Sequence, residues 1–188
     1  MRSVLVALLL LFEIAPAFAQ DTHRAEVALD YTYVHTNAPP GSCGCISLQG
    51  GSGAFALYLS PQFAVVADVG AVHNGNVASS GLDLTLTSYL VGPRFLYHTR
   101  RTRIVPYAQA LLGAVHATGT LAPANANGAV SSSVFAAALG GGLDLPLTHL
   151  MAIRPVELEY FVSTLPNTIN SHQNNLRISS GFVFRFGR

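Results

Sequence analysis

Glu26-Val27-Ala28-Leu29-Asp30-Tyr31-Thr32-Tyr33 alternates residue by residue between two kinds of side chain. Val27, Leu29, Tyr31 and Tyr33 fall on one face, and Glu26, Ala28, Asp30 and Thr32 on the other. Period-two alternation is the signature of an extended strand, whose successive side chains point to opposite sides. In a soluble protein the apolar face would turn to a core and the charged face to water. Composition argues for the reverse. Half of the chain is hydrophobic and only 10% is charged, against about 25% in soluble domains. That leaves too few charges to cover a water-facing exterior.

The same alternation recurs along the chain. Besides 26–35, segments 48–59 and 63–74 show it most clearly: Phe55, Leu57 and Leu59 oppose Ala54 and Ala56, and Phe63, Val65 and Val69 oppose Asp68 and Gly70. Segments 83–97 and 104–116 alternate less cleanly, and Pro93 and Pro106 predict a bulge or a strand end in each. Segments 133–145, 152–163 and 175–186 complete eight strands. The links between them alternate in length. Long links are expected at 36–47, 75–82, 117–132 and 164–174, and shorter ones at 60–62, 98–103 and 146–151.

Nothing beyond the N-terminus provides the ~18 consecutive apolar residues of a membrane-spanning helix. A chain that is hydrophobic overall but never continuously so fits a transmembrane β-barrel, in which lipid-facing residues occupy every second position and short periplasmic turns alternate with longer outer loops. The expected fold is all-β: an eight-stranded antiparallel up-and-down transmembrane barrel. Only closure removes both sheet edges, whose unpaired backbone groups would each cost several kcal/mol in hydrocarbon.

The N-terminus carries Arg2, the apolar run from Val4 to Phe12, and Ala17-Phe18-Ala19, a small-x-small site for signal peptidase. Residues 1–19 are therefore expected to be a cleaved signal peptide, and 20–188 the barrel domain. Export and an apolar exterior together predict the outer membrane of a cell with two membranes. All ten basic residues are arginine and the net charge is +1, which argues against a nucleic-acid partner. Cys43 and Cys45 lie one residue apart. They are open to reading as an incidental or oxidised pair in a loop, as an intermolecular bridge or, with other ligands, as part of a metal site.

Gly92-Pro93-Arg94-Phe95, Gly140-Gly141-Gly142-Leu143-Asp144, Arg154-Pro155-Val156-Glu157 and the closing Gly181-Phe182-Val183-Phe184-Arg185-Phe186-Gly187 resemble the small outer-membrane β-barrels of the OmpA/OmpX-like type. The resemblance covers the whole of 20–188. It implies that Ser179, Gly181, Phe184 and Phe186 form an assembly signal read by the barrel-insertion machinery after escort by periplasmic chaperones. Gly187 and Arg188 follow the last aromatic, where the family usually ends on it. The surroundings it implies are outer-membrane lipids and lipopolysaccharide.

In the register set by the alternation, the inward faces carry Glu26, Asp30, Asp68, Arg94, Asp144, Glu157, Glu159, Arg177 and Arg185. Isolated buried charges are very costly, so charges of both signs in a narrow lumen should pair, with the arginine fork matched to carboxylates. Arg94, Arg177 and Arg185 are the first partners to seek for Glu157 and Glu159. The expected lumen is plugged, and the expected role structural or surface-facing. A small gated pore is the alternative.

A remote alternative is a lipid-modifying enzyme built on His116, Thr118 and Glu157 or Glu159. It would imitate the serine, histidine and glutamate of outer-membrane lipid A deacylases, and it is disfavoured because Thr118 stands in place of the serine and both glutamates turn inward. His35, His73, His98, His149 and His172 lack metal-site spacing and fall near strand ends. Arg100, Arg101 and Arg103 crowd one turn expected to face the periplasm. Nothing in the sequence calls for a cofactor.

Overall fold

The computed structural model describes residues 24–36, 46–77, 82–98, 104–119, 131–165 and 173–187. They form β1 (Ala25–Thr36), β2 (Ile46–Ser60), β3 (Phe63–Val77), β4 (Leu82–Leu96), β5 (Val105–Thr118), β6 (Ser131–Pro146), β7 (Met151–Ser163) and β8 (Gln173–Phe186). Each strand pairs antiparallel with its sequence neighbours, and β8 returns to β1 to close the barrel. Residues 1–23, with the expected signal peptide, lie outside the described residues. So do Cys43, Cys45, Arg100, Arg101, Arg103 and His172.

One end of the barrel holds both ends of the sheet, where Arg24 N–H donates to the carbonyl of Phe186 (3.0 Å). This is the terminal end, and the other is the loop end. Strand lengths refine the expected alternation of links. β3 and β4 run on to Val77 and Leu82, so residues 78–81 make a short link at the loop end. The link from β4 to β5, at the terminal end, is longer than that.

The two prolines that looked disruptive sit quietly. Pro106 is the second residue of β5, a strand end. Pro93 opposes Val65 of β3, and on its other side the pairing resumes at Arg94 and Gln109 in the register it held at Val91 and Leu112. Apart from register shifts near strand ends at Tyr58–Ser60 and Asn74–Val77, the irregularity falls at a different proline. Between Arg154 and Glu157 the register of β7 shifts against both neighbours, by one extra residue around Pro155 and Val156. Such a bulge inserts an unpaired residue and reverses the facing of everything beyond it.

Apolar side chains point outward: Leu29, Leu57, Val69, Leu112, Leu139 and Phe182 are all exposed. Inside, small residues alternate with large ones. Ala54 and Ala56 of β2, and Ala136 and Ala138 of β6, leave room for the long side chains of the other strands. An eight-stranded barrel is just wide enough for its side chains to fill it.

Candidate functional site: the charged lumen

Three arginines meet at the middle of the lumen, each at most 3% exposed: Arg94 of β4, Arg154 of β7 and Arg177 of β8. Arg154 is the hub. Its Nε and Nη2 donate to the two carboxylate oxygens of Asp144 at 2.9 and 3.3 Å, the fork-on-fork geometry that makes arginine suited to carboxylates. Its Nη1 lies 3.3 Å from Asp30 on β1 and 3.3 Å from Glu157 on its own strand.

Glu157 connects this hub to the next arginine. It accepts a hydrogen bond from the Tyr107 hydroxyl and lies 3.9 Å from Arg94 Nη2. The Tyr107 ring is stacked under both guanidiniums, 4.3 Å from Arg94 and 4.9 Å from Arg154. Arg94 Nε donates to Gln109 Oε1 at 2.7 Å, and Gln109 Nε2 donates to Glu159 Oε1 at 2.8 Å. Glu159 in turn accepts from Arg177 Nε, and Arg177 Nη1 donates to Asp68 on β3 at 2.8 Å. The chain of contacts thus touches every strand except β2.

A separate pair lies nearer the terminal end, where Arg185 Nε donates to Glu26 at 2.7 Å. Arg185 therefore serves Glu26 rather than Glu157 or Glu159. Toward the loop end Val34, Val72, Leu86, Val115 and Phe161 are buried above the network, with the buried polar side chains of Thr36, Ser163 and Asn175 at the same end. Thr32 is bonded to Ser52 (2.8 Å) and Ser179 (3.2 Å).

The nine charged positions expected inside are all buried there. Three participants were not anticipated. Strict alternation from Glu157 puts Arg154 on the outer face, and the bulge turns it inward. Tyr107 and Gln109 sit on β5, whose two faces are similarly apolar (Ala108, Ala110, Leu111, Leu112), so its facing was hard to read. A usable signal was Gly140 and Gly142, the facing positions on β6. A Cβ at Gly142 would lie 2.6 Å from the Tyr107 hydroxyl and 2.7 Å from the Val156 carbonyl oxygen.

Of the expected assembly signal, Ser179 is buried and faces inward, while Phe186 is exposed on the lipid side. His116 is on the outer wall, its Nδ1 2.7 Å from the hydroxyl of Ser133. Glu157 and Glu159 are on the inner side of that wall, so they form no triad with His116 or Thr118.

A closed barrel with an apolar exterior and an ion-paired interior defines an outer-membrane type of β-barrel. The chain has the fold of the small, eight-stranded, OmpA/OmpX-like members of that class. It is similar to Neisserial surface protein A (TM-score 0.64, 15% identity, 86% of this chain and 97% of that one covered). It is also similar to Ail, the attachment invasion locus protein of Yersinia pestis (0.52, 18%, 87% and 99%). A third similar structure is the N-terminal β-barrel domain of Pseudomonas aeruginosa OprF (0.50, 15%, 88% and 100%). At these identities the likeness is one of fold. No protein-family model matches the chain, and no curated protein sequence does.

Proposed function

We propose that this protein is a non-conducting outer-membrane barrel with a structural or surface-presenting role, its lumen plugged by charge pairs. The observation that carries this is the continuous network through Arg94, Arg154 and Arg177, reaching seven strands, with buried side chains above it. A conducting pore needs a water-filled path, and buried guanidiniums held on two or more sides support a closed one.

The loop end faces outward in this reading, because outer-membrane barrels keep their longer loops outside and their termini in the periplasm. Residues 1–19 act as the export signal. Ser179, Gly181, Phe184 and Phe186 act as the assembly signal for the insertion machinery, after delivery by periplasmic chaperones. Their placement on the last strand, adjoining β1 at the closing seam, supports this.

The structure of Ail with the heparin analogue sucrose octasulfate concerns a polyanion. Such a ligand would meet no lysine or arginine in the loop-end links of this chain, so surface presentation here is assigned to another chemistry. Planar-bilayer recording of refolded protein tests the plugged lumen. Silence at all voltages is expected, and discrete openings would replace this reading by the gated pore.

A further inference from the structure

Six of the strands, β1 to β6, change character on their outer face. Toward the loop end, the outward positions pass from Leu, Val and Phe, through Tyr31, Tyr89 and Tyr160, to His35, Gln49, His73, Thr87, His116 and Ser133. Tyrosines of this kind mark the edge of the hydrocarbon, so the polar positions lie at headgroup level.

These polar groups are held in place across strands. The Tyr31 hydroxyl donates to Gln49 Oε1 at 2.6 Å, and the Tyr33 and Ser47 hydroxyls are 2.6 Å apart. His73 Nδ1 is 2.9 Å from the Thr85 hydroxyl, and His116 Nδ1 is 2.7 Å from that of Ser133. Both imidazoles are engaged through Nδ1 and Gln49 through Oε1, so a ligand would be met by Nε2 of each histidine and by the Gln49 amide nitrogen.

The band is also nearly free of charge. The links at this end, 37–45, 78–81, 120–130 and 166–172, contain no Lys, Arg, Asp or Glu. Apart from Arg2, the arginines lie in the lumen or belong to the terminal end (Arg24, Arg100, Arg101, Arg103, Arg188). The one formal charge on the described outer band is Asp83, a carboxylate and not a cation. Phosphate recognition at a surface relies on arginine and lysine. Amide, hydroxyl and imidazole groups instead match the paired donors and acceptors of sugar hydroxyls.

We propose that this band binds the saccharide portion of an outer-leaflet glycolipid through neutral hydrogen bonds, without ion pairs to its phosphates. The proposal rests on the outer-membrane orientation given above. Refolded full-length protein in detergent is exposed at pH 8 to lipopolysaccharide, to its dephosphorylated form, and to a diacyl phospholipid without sugar, and the retained lipid is counted by native mass spectrometry.

Equal retention of the two glycolipids over the phospholipid, unchanged by added salt, is expected. The triple variant Gln49→Ala, His73→Ala, His116→Ala should bind roughly tenfold or more weakly, from the loss of three hydrogen bonds. Gln in place of both histidines should retain most of the binding, since it keeps the donor and acceptor. Binding lost on dephosphorylation or in salt, or no preference for the glycolipids in correctly folded protein, would overturn the proposal. Failure to fold in any of the lipids, seen as absence of heat-modifiable gel mobility, would overturn the outer-membrane reading itself.

Discussion

Arg154 and Glu157, three residues apart on β7, both point into the lumen and pair at 3.3 Å. In a regular strand they would face opposite sides. The extra residue at Pro155 and Val156 brings them together. Proline suits the position, because it has no N–H to give to a ladder. The result is a guanidinium placed among Asp30, Asp144 and Glu157.

Removing that guanidinium leaves three buried carboxylates without it. Arg154→Met is expected to destabilise the barrel by about 3–5 kcal/mol, the usual cost of breaking a buried pair from one side. Urea unfolding in detergent micelles, followed by gel mobility, measures this. Arg154→Lys should recover little, because an ammonium cannot reproduce the two-point contact with Asp144.

The smaller cluster of Asp68, Glu159 and Arg177 tests whether the charges are needed for stability. Arg177→Met alone should be strongly destabilising. Combined with Asp68→Leu and Glu159→Leu, most of the loss should return, since whole buried ionic groups replaced by apolar ones are often neutral or better. A triple variant as unstable as the single one would show that the charges themselves hold the fold.

Gly142 gives Tyr107 its place beneath the two arginines. Gly142→Ala puts a methyl group 2.6 Å from the Tyr107 hydroxyl and is expected to cost about 1–3 kcal/mol by overpacking. Tyr107→Phe should relieve only part of this, because the Val156 carbonyl remains 2.7 Å away. The same unfolding assay reads both variants.

The exterior predicts a dependence on depth. Leu139, 64% exposed on β6, belongs to the apolar belt, and Leu139→Arg should destabilise the barrel in a bilayer by about 2–4 kcal/mol. Gln49→Arg, on the polar band, should cost about 0–1 kcal/mol. Equal costs at the two sites would mean that the hydrocarbon boundary lies elsewhere.

Much of this was legible in the sequence. On β1 and β8 the charged residues stand between apolar or aromatic ones, as in Leu29-Asp30-Tyr31, Leu176-Arg177-Ile178 and Phe184-Arg185-Phe186, so Asp30, Arg177 and Arg185 could be assigned to the lumen from alternation alone. Arg154 could not, because a bulge changes facing without changing composition, and the suspicion fell on Pro93 and Pro106 instead. Tyr107 and Gln109 were hidden by a strand apolar on both faces. Partner choice was beyond periodicity as well: Arg185 takes Glu26 because the two are directly opposed across the seam of β1 and β8, a pairing set by barrel closure.

Single-channel recording of the refolded protein in a planar bilayer tests the plugged lumen most directly. In the proposed reading Arg94, Arg154 and Arg177 close the path, and no openings should appear at any voltage. Discrete, reproducible openings from the unaltered protein would contradict it.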